Sequence, residues 1–277
     1  MLLIIKILLM CWAGVSLIIF TFQRLIIYSP DKTPPHLSRF DKKTIQEIHW
    51  KNAENILLMG FYHPANKHQP TLMIFHGNSG NIGSRKILMH HLIDMGYGVL
   101  MPEYRGYGGV AGFPTEKGLY QDASSAILYL KSMGVDENHI IVFGESLGAS
   151  VALEMALIYP VAGLILQAPF LSLQSMAKLH YPWNILPVLD DFNNQSKIEK
   201  LVAPLLILHG TSDEVVPVEQ GKILYSKANA VLCKRIELLK GQSHNVDWDE
   251  AYFKHIRDYI EQDIYFNHAP RLHGARY

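Results

Sequence analysis

A serine with a glycine two residues to either side, Gly144-Glu145-Ser146-Leu147-Gly148, closes the run His139-Ile140-Ile141-Val142-Phe143 and opens onto Ala149-Ser150-Val151-Ala152. Apolar, β-branched residues before it and small residues after it are the sequence form of a nucleophile elbow. Such a strand-to-helix turn is sharp enough to lift Ser146 Oγ clear of a sheet, where a base can reach it. Gly144 and Gly148 are required because a side chain at either place would collide with the neighbouring strand or helix. The backbone N–H of Leu147 then points at a bound carbonyl from the positive end of a helix dipole. The bare five-residue pattern recurs by chance, and an ordinary βα turn with an exposed serine is the plain alternative. The strand before and the helix after are what separate the two.

An activated serine needs a base, and the base needs an orienting acid. With this kind of elbow the chain order is serine, then acid, then histidine. The acid is expected after the next-but-one strand, and Leu205-Leu206-Ile207-Leu208-His209-Gly210-Thr211-Ser212-Asp213 ends in a turn there. Asp213 is the candidate, Glu214 the alternative acid, and a plain turn residue the bland reading of Asp213. The base is expected after the last strand, where Gly241-Gln242-Ser243-His244-Asn245 supplies His244. His244 is one of 14 histidines, so its position carries the assignment. His209, at a strand end, reads as packed or locally hydrogen-bonded, and His90 and His91 lie on a helix without partners at ligand spacing. Neither H-E-x-x-H nor a Cys/His cluster occurs, so no metal site is expected.

An oxyanion needs a second N–H donor besides Leu147. Ile74-Phe75-His76-Gly77-Asn78-Ser79-Gly80-Asn81 ends the first parallel strand in a glycine-bearing turn before a helix. The N–H of Asn78 is assigned, with Gly77 permitting the turn. A phosphate-cradling loop would need the Lys and Ser/Thr of a P-loop, which are missing. Gly106-Tyr107-Gly108-Gly109-Val110-Ala111-Gly112 hints at a dinucleotide fingerprint, but its spacing is wrong and Phe113-Pro114 follows in place of a helix start.

These groups need a frame. Residues 44–50 and 55–63 alternate like edge strands, and further strands read at 71–76, 97–103, 139–143, 162–168, 204–209 and 231–239. Continuous apolar runs in the middle of this series suit parallel strands covered on both faces. Helices read at 83–95, 118–133, 147–159, 218–228 and 248–262, the last with Asp247 and Glu250 as a capping box. Alternation over this length predicts a doubly wound, mostly parallel α/β sheet. Between the strands at 162–168 and 204–209 about thirty-five residues intervene, longer than an ordinary connection. Phe170, Leu171, Leu173, Met176, Leu179, Tyr181, Trp183, Ile185, Leu186 and Leu189 give this insertion the character of a small apolar cap. Ordinary packing of a helix onto the sheet is equally compatible with it.

The 277 residues suit one large α/β domain plus an appendage. Lys+Arg and Asp+Glu both number 25, so there is no basic excess to support a nucleic-acid partner. Cys11 and Cys233 are too differently placed to predict a disulfide. The appendage is residues 1–22, apolar except for Lys6, Ser16 and Thr21. At about 1.5 Å per residue such a helix just spans a hydrocarbon core of about 30 Å, with Lys6 free to snorkel at one end. A cleaved signal peptide is the rival reading, but no small-x-small site follows the run, and Met10 before Cys11 does not suit a lipoprotein signal. An uncleaved single-pass anchor is therefore expected. Arg24, Lys32, Arg39, Lys42 and Lys43 outnumber Lys6, which points to a cytoplasmic catalytic domain. Short-tailed anchors often translocate their large C-terminal part, so the side stays open.

The motifs HGNSGN at 76–81, EYRGYG at 103–108, GFPTEKGLYQDA at 112–123, GESLGA at 144–149, HGTSDEVVP at 209–217 and GQSHN at 241–245 together carry a resemblance. They resemble the α/β-hydrolase superfamily, in the branch of small, N-terminally membrane-anchored serine hydrolases that includes lysophospholipases and protein depalmitoylases. The resemblance covers about residues 24–262, including Gln23-Arg24-Leu25-Ile26-Ile27-Tyr28-Ser29-Pro30 after the anchor. It implies Ser146, Asp213 and His244 as a triad, Asn78 and Leu147 as oxyanion donors, and no cofactor. Relatives often place a serine soon after the YRGYG turn, where this chain has Gly109-Val110-Ala111. That serine lies outside the triad, so the difference concerns loop packing.

The resulting expectation is an anchor at 1–28, a linker at 29–43, a hydrolase domain at 44–265 with a cap at 168–203, and a tail at 266–277. All the candidate catalytic groups lie beyond residue 70, so the anchor is expected to be separable from a domain that buries its own core. The expected chemistry is cleavage of a carboxylic ester or thioester on an acyl-bearing small molecule or lipid. A serine peptidase of the same fold and a catalytically silent binding protein are the alternatives.

Overall fold

The structure, a computed structural model, describes residues 1–40, 42–183, 186–229, 231 and 233–266. In chain order its elements are α1 (Leu2–Ile27), β1 (Ser29–Pro30), β2 (Gln46–Lys51), β3 (Leu57–His63), β4 (Thr71–Phe75), β5 (Ser79–Gly80), α2 (Lys86–Asp94), β6 (Gly98–Pro102) and α3 (Glu116–Ser132). There follow β7 (Ile140–Glu145), α4 (Leu147–Ile158), β8 (Gly163–Gln167), α5 (Leu173–His180), α6 (Asn194–Lys197), β9 (Leu205–Gly210), α7 (Val218–Lys227), β10 (Lys234–Leu239) and α8 (Glu250–Asp258). A π-helical stretch, Tyr259–Phe266, continues the last helix.

Eight strands make one sheet in the order β10-β9-β8-β7-β4-β6-β3-β2. The pairs β2–β3 and β3–β6 are antiparallel and the others parallel. Every residue of β4, β6, β7, β8 and β9 is buried, as continuous apolar strands between two helical layers require. Alternate side chains feed two cores. One gathers Leu119 and Ile127 of α3, Val151 and Leu153 of α4, and Leu224 of α7. The other gathers Leu88 and Leu92 of α2 with Phe253 and Ile256 of α8. The chain leaves β4 toward β6 on one side and returns to β7 on the other. A crevice therefore opens at the carboxyl ends of β4 and β7, the place where open α/β sheets bind ligands.

Three sequence expectations change. The last helix is capped by Asp249, whose Oδ1 accepts from Tyr252 N–H at 2.8 Å, and not by Asp247. Asp247 N–H is instead held by Gln242 Oε1, in the loop before the helix. The stretch read as a linker lies on the domain. Ser29 N–H donates to Asn78 O, Asp31 N–H to Gly80 O and Gly108 N–H to Asp31 O, while Tyr28 and Phe40 are buried. Finally, α1 does not stand apart. Residues 1–15 are exposed, but Ser16 and Gln23 are buried against the domain. This helix of 26 residues, long and apolar enough to cross a membrane, has an exposed first half and a second half of which one side lies against the domain. Of the tail at 266–277, residues 267–277 lie outside the described residues.

Candidate active site

The elbow forms because β7 must turn into α4 with almost no loop. Ser146 takes φ 51° and ψ −111°, a conformation that a non-glycine residue holds only under constraint. Its N–H donates to Gln167 O of the adjacent β8 at 2.8 Å. The two glycines have the steric cause expected of them. A Cβ at Gly144 would lie 2.2 Å from Gly148 O, and one at Gly148 would lie 2.1 Å from Phe75 O. In both cases the obstacle is backbone, which cannot step aside.

His244 and Asp213 arrive from loops after β10 and β9, which bracket the same end of the sheet. His244 Nε2 lies 3.2 Å from Ser146 Oγ, and His244 Nδ1 lies 2.8 Å from Asp213 Oδ2. Asp213, and not Glu214, meets the imidazole; Glu214 is exposed. The Asp213 side chain is fully buried and its other oxygen is also occupied, since Oδ1 accepts the N–H groups of Val215 and Val216 at 2.9 and 2.8 Å. Burial alone would push this carboxyl up. Hydrogen bonds from His209, His244 and Val216 N–H outweigh it and hold the group well below the usual carboxylate range.

His209 is thus more than a packed strand residue. Its Nε2–H donates to Val216 O at 2.9 Å and stands 3.3 Å from Asp213 Oδ2. Gly221 makes room for the ring, because a Cβ there would lie 2.4 Å from His209 Nδ1. The four-residue spacing from His209 to Asp213 was the available signal. That spacing does not separate His209 from a histidine held by local hydrogen bonds alone.

The turn that carries Asn78 is braced from beneath. His76 and Glu103 are both buried, with Nε2 and Oε1 2.9 Å apart, and His76 Nδ1–H donates to Gly77 O at 2.8 Å. Glu103 also accepts the N–H groups of Ile82 and Tyr104. Tyr104 donates its hydroxyl to His76 O and Tyr107 donates to Asn78 O. Burial raises the Tyr107 phenol above its usual range, so it stays a donor. Arg85 spans from Glu145, next to the serine, to Ser79 O and Asn81 O of the turn. The glycine-rich stretch at 106–112, rejected as a dinucleotide loop, is what aims these tyrosines: Gly106, Gly108, Gly109 and Gly112 all have positive φ.

Ser146, Leu147, Asn78 and His244 line one cavity of about 390 Å³. Its walls are mostly apolar, with Gln23, His180 and Asn245 among them, and come from α5 and the cap (Phe170, Leu173, Met176), the loop at Val215 and Val216, and α1 itself. Of the cap residues named from the sequence, Phe170 and Met176 are buried and Tyr181 and Leu186 also line the cavity. Leu179, Trp183 and Leu189 face outward, and Ile185 lies outside the described residues. Asn194 Nδ2 ties the base of the cap to Ser150 Oγ and Phe170 O, both at 2.8 Å. Among the described residues no group of three or more His, Cys, Asp or Glu is gathered as metal ligands.

The family model described as serine aminopeptidase, S33, matches residues 66–200. The α/β hydrolase domain-containing protein 17B of Homo sapiens is 31% identical over 204 residues, covering 70% of this chain and 67% of that one. The lysophosphatidylserine lipase of Rattus norvegicus is 32% identical over 207 residues, covering 67% of this chain and 52% of that one. Among solved structures, an esterase of Pyrococcus furiosus superposes with a TM-score of 0.71 at 17% identity, over 85% of this chain and 97% of that one, a likeness of fold.

Proposed function

Since the chain belongs to the α/β-hydrolase superfamily, we propose that it is a membrane-anchored serine hydrolase of the esterase and lipase kind, acting on an acyl-bearing ester or thioester. Ser146 Oγ attacks the carbonyl carbon as His244 Nε2 takes its proton. Asp213 holds the imidazole in the tautomer whose Nε2 is free to accept. The N–H groups of Leu147 and Asn78 stabilise the oxyanion. Collapse of the tetrahedral intermediate expels the alcohol or thiol, which His244 protonates. Water, activated by the same imidazole, then releases the acid and restores Ser146. In this reading residues 1–28 are the anchor, 44–265 the hydrolase domain and 168–203 its cap.

The observation that carries the reading is the row Ser146–His244–Asp213, with separations of 3.2 and 2.8 Å, opening into an apolar cavity. A second reading, peptidase action at a free amino terminus, is favoured by the description of the matching family model. Recognition of an α-ammonium group calls for a carboxylate nearby, and the described residues lining the cavity include none. The decisive experiment uses a fluorophosphonate probe on full-length protein in detergent. Wild type should label and hydrolyse p-nitrophenyl butyrate, while Ser146→Ala should do neither, with turnover down by about 10³-fold or more. Equal labelling of the variant would place the nucleophile elsewhere. Cleavage of an aminoacyl p-nitroanilide in preference to the ester would favour the peptidase.

A further inference from the structure

The second half of α1 is built into the cavity. Ile19, Phe20, Gln23, Ile26 and Ile27 line it, at the i, i+1, i+4, i+7 and i+8 spacing of one helical face. A helix that served only to tether would need no such contacts. This one is pinned on two sides. Arg24 grips Asp190 of the cap through Nε at 2.7 Å and Nη2 at 3.3 Å, and Gln23 Oε1 accepts Leu189 N–H at 2.8 Å. On the other side Asn78, from the turn facing Ser146, donates its side-chain amide to Ile27 O at 3.1 Å.

The outer surface is continuous with this wall. The first half of α1 presents an apolar skin interrupted only by Lys6, from Leu2 at 69% exposure to Met10 at 67%. The cap adds Leu179, Trp183 and Leu189 on its outside, and Trp12 Nε1 donates to Trp183 O, which ties the cap tip to the helix. An apolar surface of this extent belongs against lipid. A bilayer that receives it reaches the cap and the mouth of the cavity together.

We propose that α1 is a substrate-binding element: Ile19, Phe20, Ile26 and Ile27 form one wall of a slot for a long acyl chain, which passes from the bilayer to Ser146 along the helix. The ligand class is a membrane-resident long-chain acyl ester or thioester. A chain that follows this path keeps its methylenes out of water throughout, which removes the main obstacle to extracting it from a bilayer. The inference rests on Ser146 being the nucleophile.

The test uses full-length protein in phosphatidylcholine vesicles. The ratio of kcat/KM for p-nitrophenyl palmitate to that for p-nitrophenyl butyrate should fall about ten-fold or more in Ile19→Trp and Ile26→Trp, which fill the slot. Leu9→Trp, on the outward face of the helix, should leave the ratio at its wild-type value. An undiminished ratio in both slot variants, with Ser146 still labelled by fluorophosphonate, would overturn the proposal while leaving the nucleophile intact. Absence of wild-type labelling would instead sink the nucleophile. A measurement free of substitutions backs this up. A hexadecyl fluorophosphonate with a diazirine at its chain end, bound at Ser146 and illuminated, should cross-link to the peptide containing residues 19–27. Cross-links confined to other segments would also overturn the proposal. Vesicles carrying a palmitoyl lysophospholipid or a palmitoyl thioester peptide separate the two sources of the chain. Turnover of either supports membrane delivery, and turnover of neither, with the butyrate ester still cleaved, refutes it.

Discussion

Glu103 and His76, 27 residues apart in the chain, meet in the dry interior with Oε1 and Nε2 2.9 Å apart, directly under the turn that presents Asn78. Glu103→Ala would remove at once the shared partner of three buried groups: His76 Nε2 and the N–H groups of Ile82 and Tyr104. Breaking a buried pair from one side costs about 3–5 kcal/mol. Chemical denaturation should show a loss of that size. At a temperature where the variant remains folded, kcat should fall more than KM rises, because in the proposed mechanism this turn aims an oxyanion donor. A stability change under about 1 kcal/mol would mean the pair is replaceable by water.

Ser146→Gly should be inactive yet more stable than wild type. The φ of 51° at Ser146 costs a side-chain-bearing residue about 1–3 kcal/mol and costs glycine little. Glycine's greater freedom in the unfolded chain returns part of this, so a net gain of about 1 kcal/mol is expected. Thermal unfolding of the two proteins side by side checks it. A lower Tm for the glycine variant would show that the elbow is not strained.

Asp213→Asn should preserve the fold and lower turnover by about 10⁴-fold. An asparagine oxygen can still accept from Val215 and Val216, but its amide would face His209 and His244, which are themselves donors. The pH behaviour has a definite sign. Asp213 is held below its unfolded value, near 3.9 for an ordinary aspartate, so its contribution to stability is complete above that pH. That contribution is lost as pH falls further, toward the depressed folded value. The acid limb of kcat/KM should therefore follow one ionisation, because Asp213 is already charged across it. A slope of two on that limb would contradict the assignment.

Gly148→Ala should abolish activity and lower stability by about 1–3 kcal/mol, since the new methyl would lie within 2.5 Å of both Phe75 O and His76 O. Loss of fluorophosphonate labelling together with a shifted denaturation midpoint is the expected result. Ala149→Gly, one residue along and inside α4, should cost only about 1 kcal/mol through helix propensity and cavity formation, and should retain labelling.

Much of this architecture is written in local patterns. The elbow shows because a strand, two glycines and a helix are contiguous, and the sterics that demand Gly144 and Gly148 act within five residues. The order Ser146, Asp213, His244 shows because each follows its own strand and parallel strands deliver their ends to one edge. The apolar run of α1 shows by length alone. The local signal is ambiguous at the last helix, which is capped by Asp249 although Asp247 offers the same chemistry two residues earlier.

Contacts between segments whose own sequences are satisfied by more than one environment are set by the folded whole. An apolar helix such as α1 is equally at home in lipid or against a cap, and nothing in residues 2–27 announces the grip of Arg24 on Asp190, 166 residues away. His76 and Glu103 are each common types at strand ends, and their pairing depends on β4 and β6 being sheet neighbours. His209 meets Asp213 because a tight turn folds the acid back over the end of β9. Short-range sterics and periodicity act along the chain and can be read from it. Pairings between distant segments are selected by how the whole sheet and its layers close, a property that no single stretch of sequence contains.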